Sequence, residues 1–438
     1  MQQRLKTHIE HRLPFLTNTP IALAASGGID SMVLMDLCHK LNLDFRVLHC
    51  NFQLRGEESM QDQKFMEQQC QAYGVDLHTI KFDTEAYAEK TKLSIQMAAR
   101  ELRYNWFYQQ KQSLGFSWLL TAHHADDNLE TFMINLGRAS GLEGLTGIPE
   151  VNDYIVRPLL PFSRSEINQY AKEHQIMWRE DSSNAKTKYI RNKFRHDIIP
   201  LIKEMKPDFL DNFTKALSHL NQSNSLIKIA VDKKRLELFN KNEEVVEIPI
   251  AKLLELRPLN AYLYELFKPY GFKNEVELLQ LLDTLSGKQL ISDSYRLIRN
   301  RDHLLLAPLK SSVFEDNYTI DEQQESLEYP IQLFMEPAKS KTVVSRDEVL
   351  LDKEKLKFPL ILRKRQNGDY FYPLGMLGKK KLSKYFKDEK FSLLEKENQW
   401  LLCNSDNEII WIVGHRADDR FKITERTTEI LKISSLHA

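Results

Sequence analysis

Ser26-Gly27-Gly28-Ile29-Asp30-Ser31 is the stretch of this chain whose residue types can hold a phosphate. A short apolar run, Ile21 to Ala25, precedes it, and apolar residues at helical spacing follow (Met32 and Met35, with Val33, Leu34 and Leu37 beside them). The spacing predicts a buried strand turning into a helix. Glycines let the backbone bend tightly there and approach a ligand with no Cβ in the way. N–H groups at the helix start and the helix dipole then favour an anion, and Ser26 and Ser31 add hydroxyl donors. Asp30 is out of place beside phosphates unless a cation bridges them, which implies Mg2+. The string matches neither a Walker A motif nor the dinucleotide fingerprint. The plainer reading is an ordinary Gly-Gly turn with Asp30 in a first helical turn.

Three further stretches carry chemistry. His49-Cys50-Asn51-Phe52-Gln53-Leu54-Arg55 leaves a second strand, and by itself is a polar loop. Arg100 and Arg103 are three apart and share a helix face, where two guanidinium forks either meet solvent or stabilise phosphate charge. Thr121-Ala122-His123-His124-Ala125-Asp126-Asp127-Asn128-Leu129-Glu130-Thr131 again follows a strand and opens a helix. Asp127 and Glu130 fall on one face, as do Asp126 and Glu130. Acidic residues in a first turn commonly just complement the dipole. Three carboxylates this close nevertheless repel unless a cation or ammonium sits among them. A zinc site lacks a third nitrogen or sulfur ligand nearby. Between Lys186 and Lys206 seven basic residues face two acidic ones, with Arg191 and Arg195 one turn apart. Such a run is a solvated face or meets an RNA backbone.

The Ser-Gly-Gly-x-Asp-Ser string resembles the PP-loop of ATP pyrophosphatases. With Asn-x-x-Leu-Arg, Ala-Arg-x-x-Arg-Tyr, His-His-x-Asp-Asp-x-x-Glu-Thr, Ser-Gly-Leu-x-Gly-Leu, Arg-Pro-Leu-Leu and Arg-Asn-x-x-Arg in this order, nearly the whole chain resembles tRNA(Ile)-lysidine synthases. Two departures are local: Phe52 stands where the family often has His, and Ala139 where it often has Gly.

The resemblance implies an ATP-dependent ligase acting on the wobble cytidine of tRNA(Ile) with a CAU anticodon. ATP would adenylate the C2 oxygen, and the ε-amine of free L-lysine would then displace AMP. Ser26, Gly27, Gly28, Ile29, Asp30 and Ser31 would hold the ATP phosphates, with Mg2+ on Asp30 and Asp127. Asp127 and Glu130 would hold the lysine ammonium, one of them or Asp30 serving as base. Arg103 and Arg195 would stabilise charge on the α-phosphate. A homodimer is a further expectation. The rival PP-loop enzymes fit less well: a thiolase needs paired cysteines, and an amidotransferase needs a nucleophilic Cys near its amino terminus. A tRNA-binding protein without catalysis would not need Asp30, Asp127, Glu130 and both arginines.

These motifs must be positioned by strands that alternate with helices along residues 1–215. The expectation is an α/β fold: a parallel sheet with helices on both faces, and ligands beyond the carboxyl ends of the strands. A connector helix and a small α/β or α+β domain are expected over 216–310, a linker over 311–344, and a basic tRNA-binding domain over 345–438. Residues 353–390 carry twelve basic and four acidic side chains, with Tyr370, Phe371, Tyr372 and Tyr385 interleaved. Basic groups beside exposed aromatics suit RNA; the plainer reading makes the aromatics core.

At 438 residues two or three domains are expected. Lys plus Arg and Asp plus Glu balance at 61 each, so any basic surface must be local. The four cysteines make no Cys-x-x-Cys pair, which suits reduced cytoplasmic thiols. No signal core or membrane-length apolar run is present, so no membrane partner is expected.

Overall fold

The computed structural model describes residues 1–180, 190–242, 244–309, 317–338 and 345–436, which fall into two compact units divided after Lys228. In the first unit the apolar runs form the strands β1 (Ile21–Ala24), β2 (Phe45–Asn51), β3 (Leu77–Lys81), β4 (Trp118–Leu120), β5 (Val151–Asn152) and β6 (Ile155–Val156). They lie in the order β3-β2-β1-β4-β6-β5, parallel except for the β5 edge. Chain direction reverses its progress across the sheet between β1 and β4, so a crevice opens beyond their carboxyl ends. The Ser26–Ser31 loop leaves β1 there, and the His123-His124 stretch leaves β4.

Helices cover both faces, as the strand–helix alternation requires. One face packs under α1 (Gln2–Arg12), α2 (Ile29–Lys40), α3 (Glu57–Tyr73) and a helix at Arg164–Glu173, through Leu5, Ile9, Met32, Met35, Met66 and Ile167. The other carries the helix Ile95–Leu114, whose Trp106 and Phe107 meet Ala22, Leu48 and Leu119. Ser94 starts that helix, its hydroxyl accepting the Met97 N–H. The helix Ala125–Gly137 buries Ala125 and Leu129 against Ile199, Leu210 and Phe213.

Gly147 marks a tight spot behind this helix. Its φ is +76°, and a Cβ there would lie 2.2 Å from the Asn128 side-chain oxygen, which accepts the Ile148 N–H at 2.7 Å. Gly147→Ala therefore destabilises the first unit by roughly 3 kcal/mol, from backbone strain at the positive φ and from pushing the Asn128 amide off the Ile148 N–H. A urea titration reads this, and an unchanged midpoint would contradict it.

The second unit begins with the remainder of a long helix, Phe209–Leu238, which starts before the connector expected from residue 216. An antiparallel five-stranded sheet follows, with helices Leu259–Phe267 and Glu275–Asp283 on a shared apolar core. Two four-stranded antiparallel sheets around Leu351, Leu362, Trp411 and Ile433 follow, with a two-stranded pair of Tyr370–Phe371 and Lys380–Lys381. Strands Asn317–Ile320 and Gln332–Pro337, from the stretch expected to link domains, pair into these sheets; residues 311–316 and 339–344 lie outside the described residues. Of the four aromatics expected to meet RNA, Phe371 and Tyr385 are core, buried with Leu382 and Phe386. Tyr370 is exposed under the Lys379 ammonium (4.5 Å), and Tyr372 lies under Arg420 (4.6 Å). Among the described residues no helix is long and apolar enough to cross a membrane.

Candidate active site

The loop after β1 is closed on itself by its own hydroxyls. Ser31 Oγ donates to the Gly28 carbonyl at 2.8 Å and accepts the Ser26 N–H at 3.3 Å, while Ser26 Oγ accepts the Gly28 N–H at 3.3 Å. Gly27 holds φ at +86°, and a Cβ there would touch the Phe65 ring at 3.5 Å. Gly28 starts α2 without a side-chain cap, so the first-turn N–H groups of Ile29, Asp30 and Ser31 receive no partner from a capping side chain. This is the geometry of an anion cradle.

Asp30 projects from the first turn of α2. Its Oδ2 pairs with the Arg164 guanidinium, whereas Oδ1 is buried with no hydrogen-bond partner among the described residues. Across the crevice, His124 Nε2 lies 3.7 Å from that oxygen. His124 is buried and caps the Ala125–Gly137 helix: its Nδ1 accepts the Asp127 N–H at 3.4 Å, which leaves the ring proton on Nε2. Asp127 returns the favour through Oδ2, which accepts the His124 N–H at 3.1 Å. The first-turn acidic residue is thus a capping group.

Each carboxylate of the Asp126–Glu130 cluster has a cation on it. Glu130, 1% exposed, receives Arg195 Nε on Oε1 at 2.6 Å, and both Arg195 Nη2 (3.0 Å) and Arg191 Nε (2.9 Å) on Oε2. Arg195 Nη2 also donates to Asp127 Oδ1 at 2.6 Å. Asp126 pairs with Lys203 and accepts the Arg164 N–H at 2.8 Å, tying three elements together. The repulsion expected of three adjacent carboxylates is therefore relieved by the basic run itself. Arg191, Arg195 and Lys203 reach these carboxylates while keeping 45%, 35% and 30% of their side chains exposed, and Lys193 and Lys206 are exposed. Lys186 and Lys188 lie outside the described residues, as do Asp181 to Asn184. Burial alone would raise the Asp127 pKa, but His124 and Arg195 beside it hold it below the usual carboxylate range. Burial likewise opposes the charge of Arg195, and the Glu130 hydrogen bonds outweigh it.

His123 behaves differently. Its Nδ1 meets Thr121 Oγ1 at 3.0 Å, and burial pushes the ring pKa down to about 4. The unfolded chain, with His near 6.5, takes up this proton first as pH falls. The stabilisation linked to neutral His123 is thus complete above pH 6.5 and drains away between 6.5 and 4. His123→Asn flattens the stability profile over that window; denaturation midpoints at pH 7 and pH 4.5 that fall equally in both proteins would contradict this.

Two cavities meet at the loop. The smaller, about 410 Å3, is walled by Ala24, Leu48, Cys50, Phe107, Ala122 and His123, with Asp127, Arg103 and Arg195 on its rim. Its mixed polar and apolar lining beside an anion cradle suits a nucleoside with a phosphate tail. The larger, about 1110 Å3, runs from Ser26, Gly28 and Asp30 past His49 and Phe52 to Arg55, Trp178 and Arg179. Arg103 borders both cavities, its guanidinium 5.0 Å from the Phe52 ring centre. Arg100 instead stacks on Tyr104 at 4.8 Å.

The fit of a magnesium ion is uneven across its two expected ligands. Asp30 offers a buried, unpartnered oxygen next to the cradle, as a metal bridging to phosphates needs. Asp127 has both oxygens engaged. No cluster of three or more His, Cys, Asp or Glu side chains among the described residues forms a cage, which suits a cation held by one carboxylate, phosphates and water.

Pattern reading missed Arg164 and Arg179, and gave His49 no role beyond a polar loop. His49 Nδ1 donates to the Ala25 carbonyl at 2.9 Å, fixing the strand end before the loop, and the Arg179 N–H donates to the Gly27 carbonyl at 3.0 Å. For Arg164 the signal was present: Ser163 and Glu166 form a capping box that starts its helix at the crevice.

Comparison with known proteins agrees with this layout. Residues 1–202 match the PP-loop domain family, 241–309 the TilS substrate binding domain and 360–434 the TilS substrate C-terminal domain. The tRNA(Ile)-lysidine synthase of Bacteroides thetaiotaomicron is 38% identical over 98% of this chain and 99% of its own length. The synthase of Parabacteroides distasonis is 36% identical over 100% of both, and that of Porphyromonas gingivalis strain W83 is 37% identical over 97% of this chain and 96% of its own. From its first strand to its last sheet, this chain belongs to the tRNA(Ile)-lysidine synthase family.

Proposed function

We propose that this protein converts the wobble cytidine of the CAU anticodon of tRNA(Ile) into lysidine, in two steps at the crevice between β1 and β4. ATP lies in the smaller cavity with its phosphates on Ser26–Ser31. The cytosine C2 oxygen attacks the α-phosphorus, the bond to the β-phosphate oxygen breaks, and pyrophosphate leaves. The neutral ε-amine of free L-lysine then attacks C2; the C2–O bond breaks, AMP departs, and the amine's surplus proton passes to a carboxylate of the cluster, Asp127, Glu130 or Asp30. When bound, Mg2+ supplies charge neutralisation and Lewis-acid polarisation of the phosphates, and Asp30 would hold it. The changed base pairs as for AUA rather than AUG, and acceptor identity passes from Met to Ile.

The observation that carries this reading is Arg195. It stands on Asp127 and Glu130 at the rim of the cavity that opens onto the cradle. A triphosphate there offers the guanidinium a second anionic partner. As Arg195, joined by Arg103, turns to the α-phosphate, Asp127 and Glu130 become available to the lysine ammonium. Lys379 and the exposed Tyr370 give the second unit a basic, aromatic surface suited to RNA. The cytoplasm, where tRNA, ATP and free lysine meet, is the corresponding location. A homodimer rests on the resemblance alone, and sedimentation velocity reads it.

Pyrophosphate release separates the two steps. With ATP, Mg2+ and the CAU transcript but no lysine, one equivalent of pyrophosphate per bound RNA is expected. Release that is indifferent to the RNA would overturn adenylation of the cytidine.

A further inference from the structure

The larger cavity has an outer wall that the reaction above leaves unused. Asp62, on α3 and 8% exposed, receives Arg179 Nε on Oδ1 at 2.5 Å and Arg55 Nη2 on Oδ2 at 2.8 Å. One buried carboxylate thus fixes two guanidiniums that come from separate loops, and both line the cavity. Beside them stands Trp178, half in the core against the sheet's helices and half at the cavity wall. Arg179 also uses Nη2 on Gln61 at 3.1 Å, so among the described residues its Nη1 has no partner. The backbone bond from Arg179 to the Gly27 carbonyl keeps this wall in register with the phosphate cradle.

We infer that Arg55 and Arg179, held by Asp62, grip the RNA backbone beside the target cytidine, and that Trp178 stacks on a splayed base there. This rests on the function proposed above. A buried carboxylate satisfied by one guanidinium has no need of a second, whereas two guanidiniums fixed on its two oxygens, Arg55 also 3.8 Å from Glu58, form a preorganised site for a phosphodiester. Six Arg and Lys side chains line the cavity against three carboxylates. Arg195 is taken up by Asp127 and Glu130 and Arg164 by Asp30, which leaves Arg103 and Lys172 with no carboxylate partner among the described residues. An aromatic face next to cations is how single-stranded RNA is held. Phosphate is also what ATP brings, but Arg55, Arg179 and Trp178 line the larger cavity and are absent from the smaller one.

The test uses full-length protein, a fluorescein-labelled CAU anticodon stem-loop read by anisotropy across a salt series, and a fluorescent ATP analogue. Arg179→Gln and Arg55→Gln each weaken RNA binding about tenfold and reduce the slope of log affinity against log salt by about 0.7, one single-strand phosphate contact. Trp178→Leu weakens RNA binding on the order of tenfold with the slope unchanged. Arg179→Lys, which keeps the charge and loses the fork, retains the slope while losing part of the affinity. ATP binding stays within about twofold throughout, and it doubles as the check that each variant is folded. RNA affinity and slope unchanged in the arginine variants would overturn the inference, and so would ATP affinity falling in step with RNA affinity. Wild-type protein that binds ATP and no RNA would overturn the lysidine reading as well.

Discussion

Arg195→Ala lowers turnover of the CAU transcript by about a thousandfold, as expected when an electrostatic donor to a developing phosphate charge is lost from a preorganised site. The same substitution has a second consequence that distinguishes exchange from simple support. In the resting protein Arg195 occupies Asp127 and Glu130 through three hydrogen bonds of 2.6 to 3.0 Å. Lysine must displace it or wait until ATP draws it away. Wild-type protein therefore binds lysine weakly alone and at least tenfold more tightly with a non-hydrolysable ATP analogue. In Arg195→Ala, lysine binds without nucleotide, because Glu130 keeps only Arg191 and Asp127 loses its guanidinium. Equilibrium dialysis with labelled lysine reads both. Equal lysine affinity with and without nucleotide in the wild type would contradict the exchange.

Asp30→Asn has the other large effect, a loss of turnover of about a thousandfold with ATP still bound. The substitution keeps the shape of the side chain and removes the charge whose buried oxygen faces the cradle. A carboxylate bridging to phosphates through a cation adds affinity only when that cation is present. In the wild type Mg2+ therefore tightens ATP binding, whereas in Asp30→Asn it does not. Calorimetry with and without Mg2+ checks this independently of turnover. A variant whose ATP binding still responds fully to Mg2+ would place the metal on other ligands.

The sheet was legible because a buried strand followed by an apolar helical stripe has few alternative readings. Ile21–Ala24 and Phe45–Asn51 fall where the apolar runs place them. The bend after β1 was legible too, although two glycines at a strand–helix junction also read as an ordinary turn. The phosphate reading came from the whole Ser-Gly-Gly-x-Asp-Ser string. The cluster after β4 was legible only in part. Mutual repulsion of Asp126, Asp127 and Glu130 required cations, but nothing in local spacing says that Arg191, Arg195 and Lys203, more than sixty positions away, supply them. Long-range pairing of this kind is set by how helices return to the crevice, and a charge run reads the same whether it turns inward or outward. The aromatics near the carboxyl end failed for the complementary reason. Phe371 and Tyr370 are neighbours on one short strand, whose alternation buries one and exposes the other.

The central claim, that one crevice joins lysine to the wobble cytidine at the expense of ATP, is tested by incubating the protein with ATP, Mg2+, radiolabelled lysine and the CAU tRNA(Ile) transcript. The label is expected in the RNA, dependent on ATP, and absent when the wobble cytidine is replaced by uridine. Folded protein that leaves the RNA unlabelled and releases no pyrophosphate would contradict it.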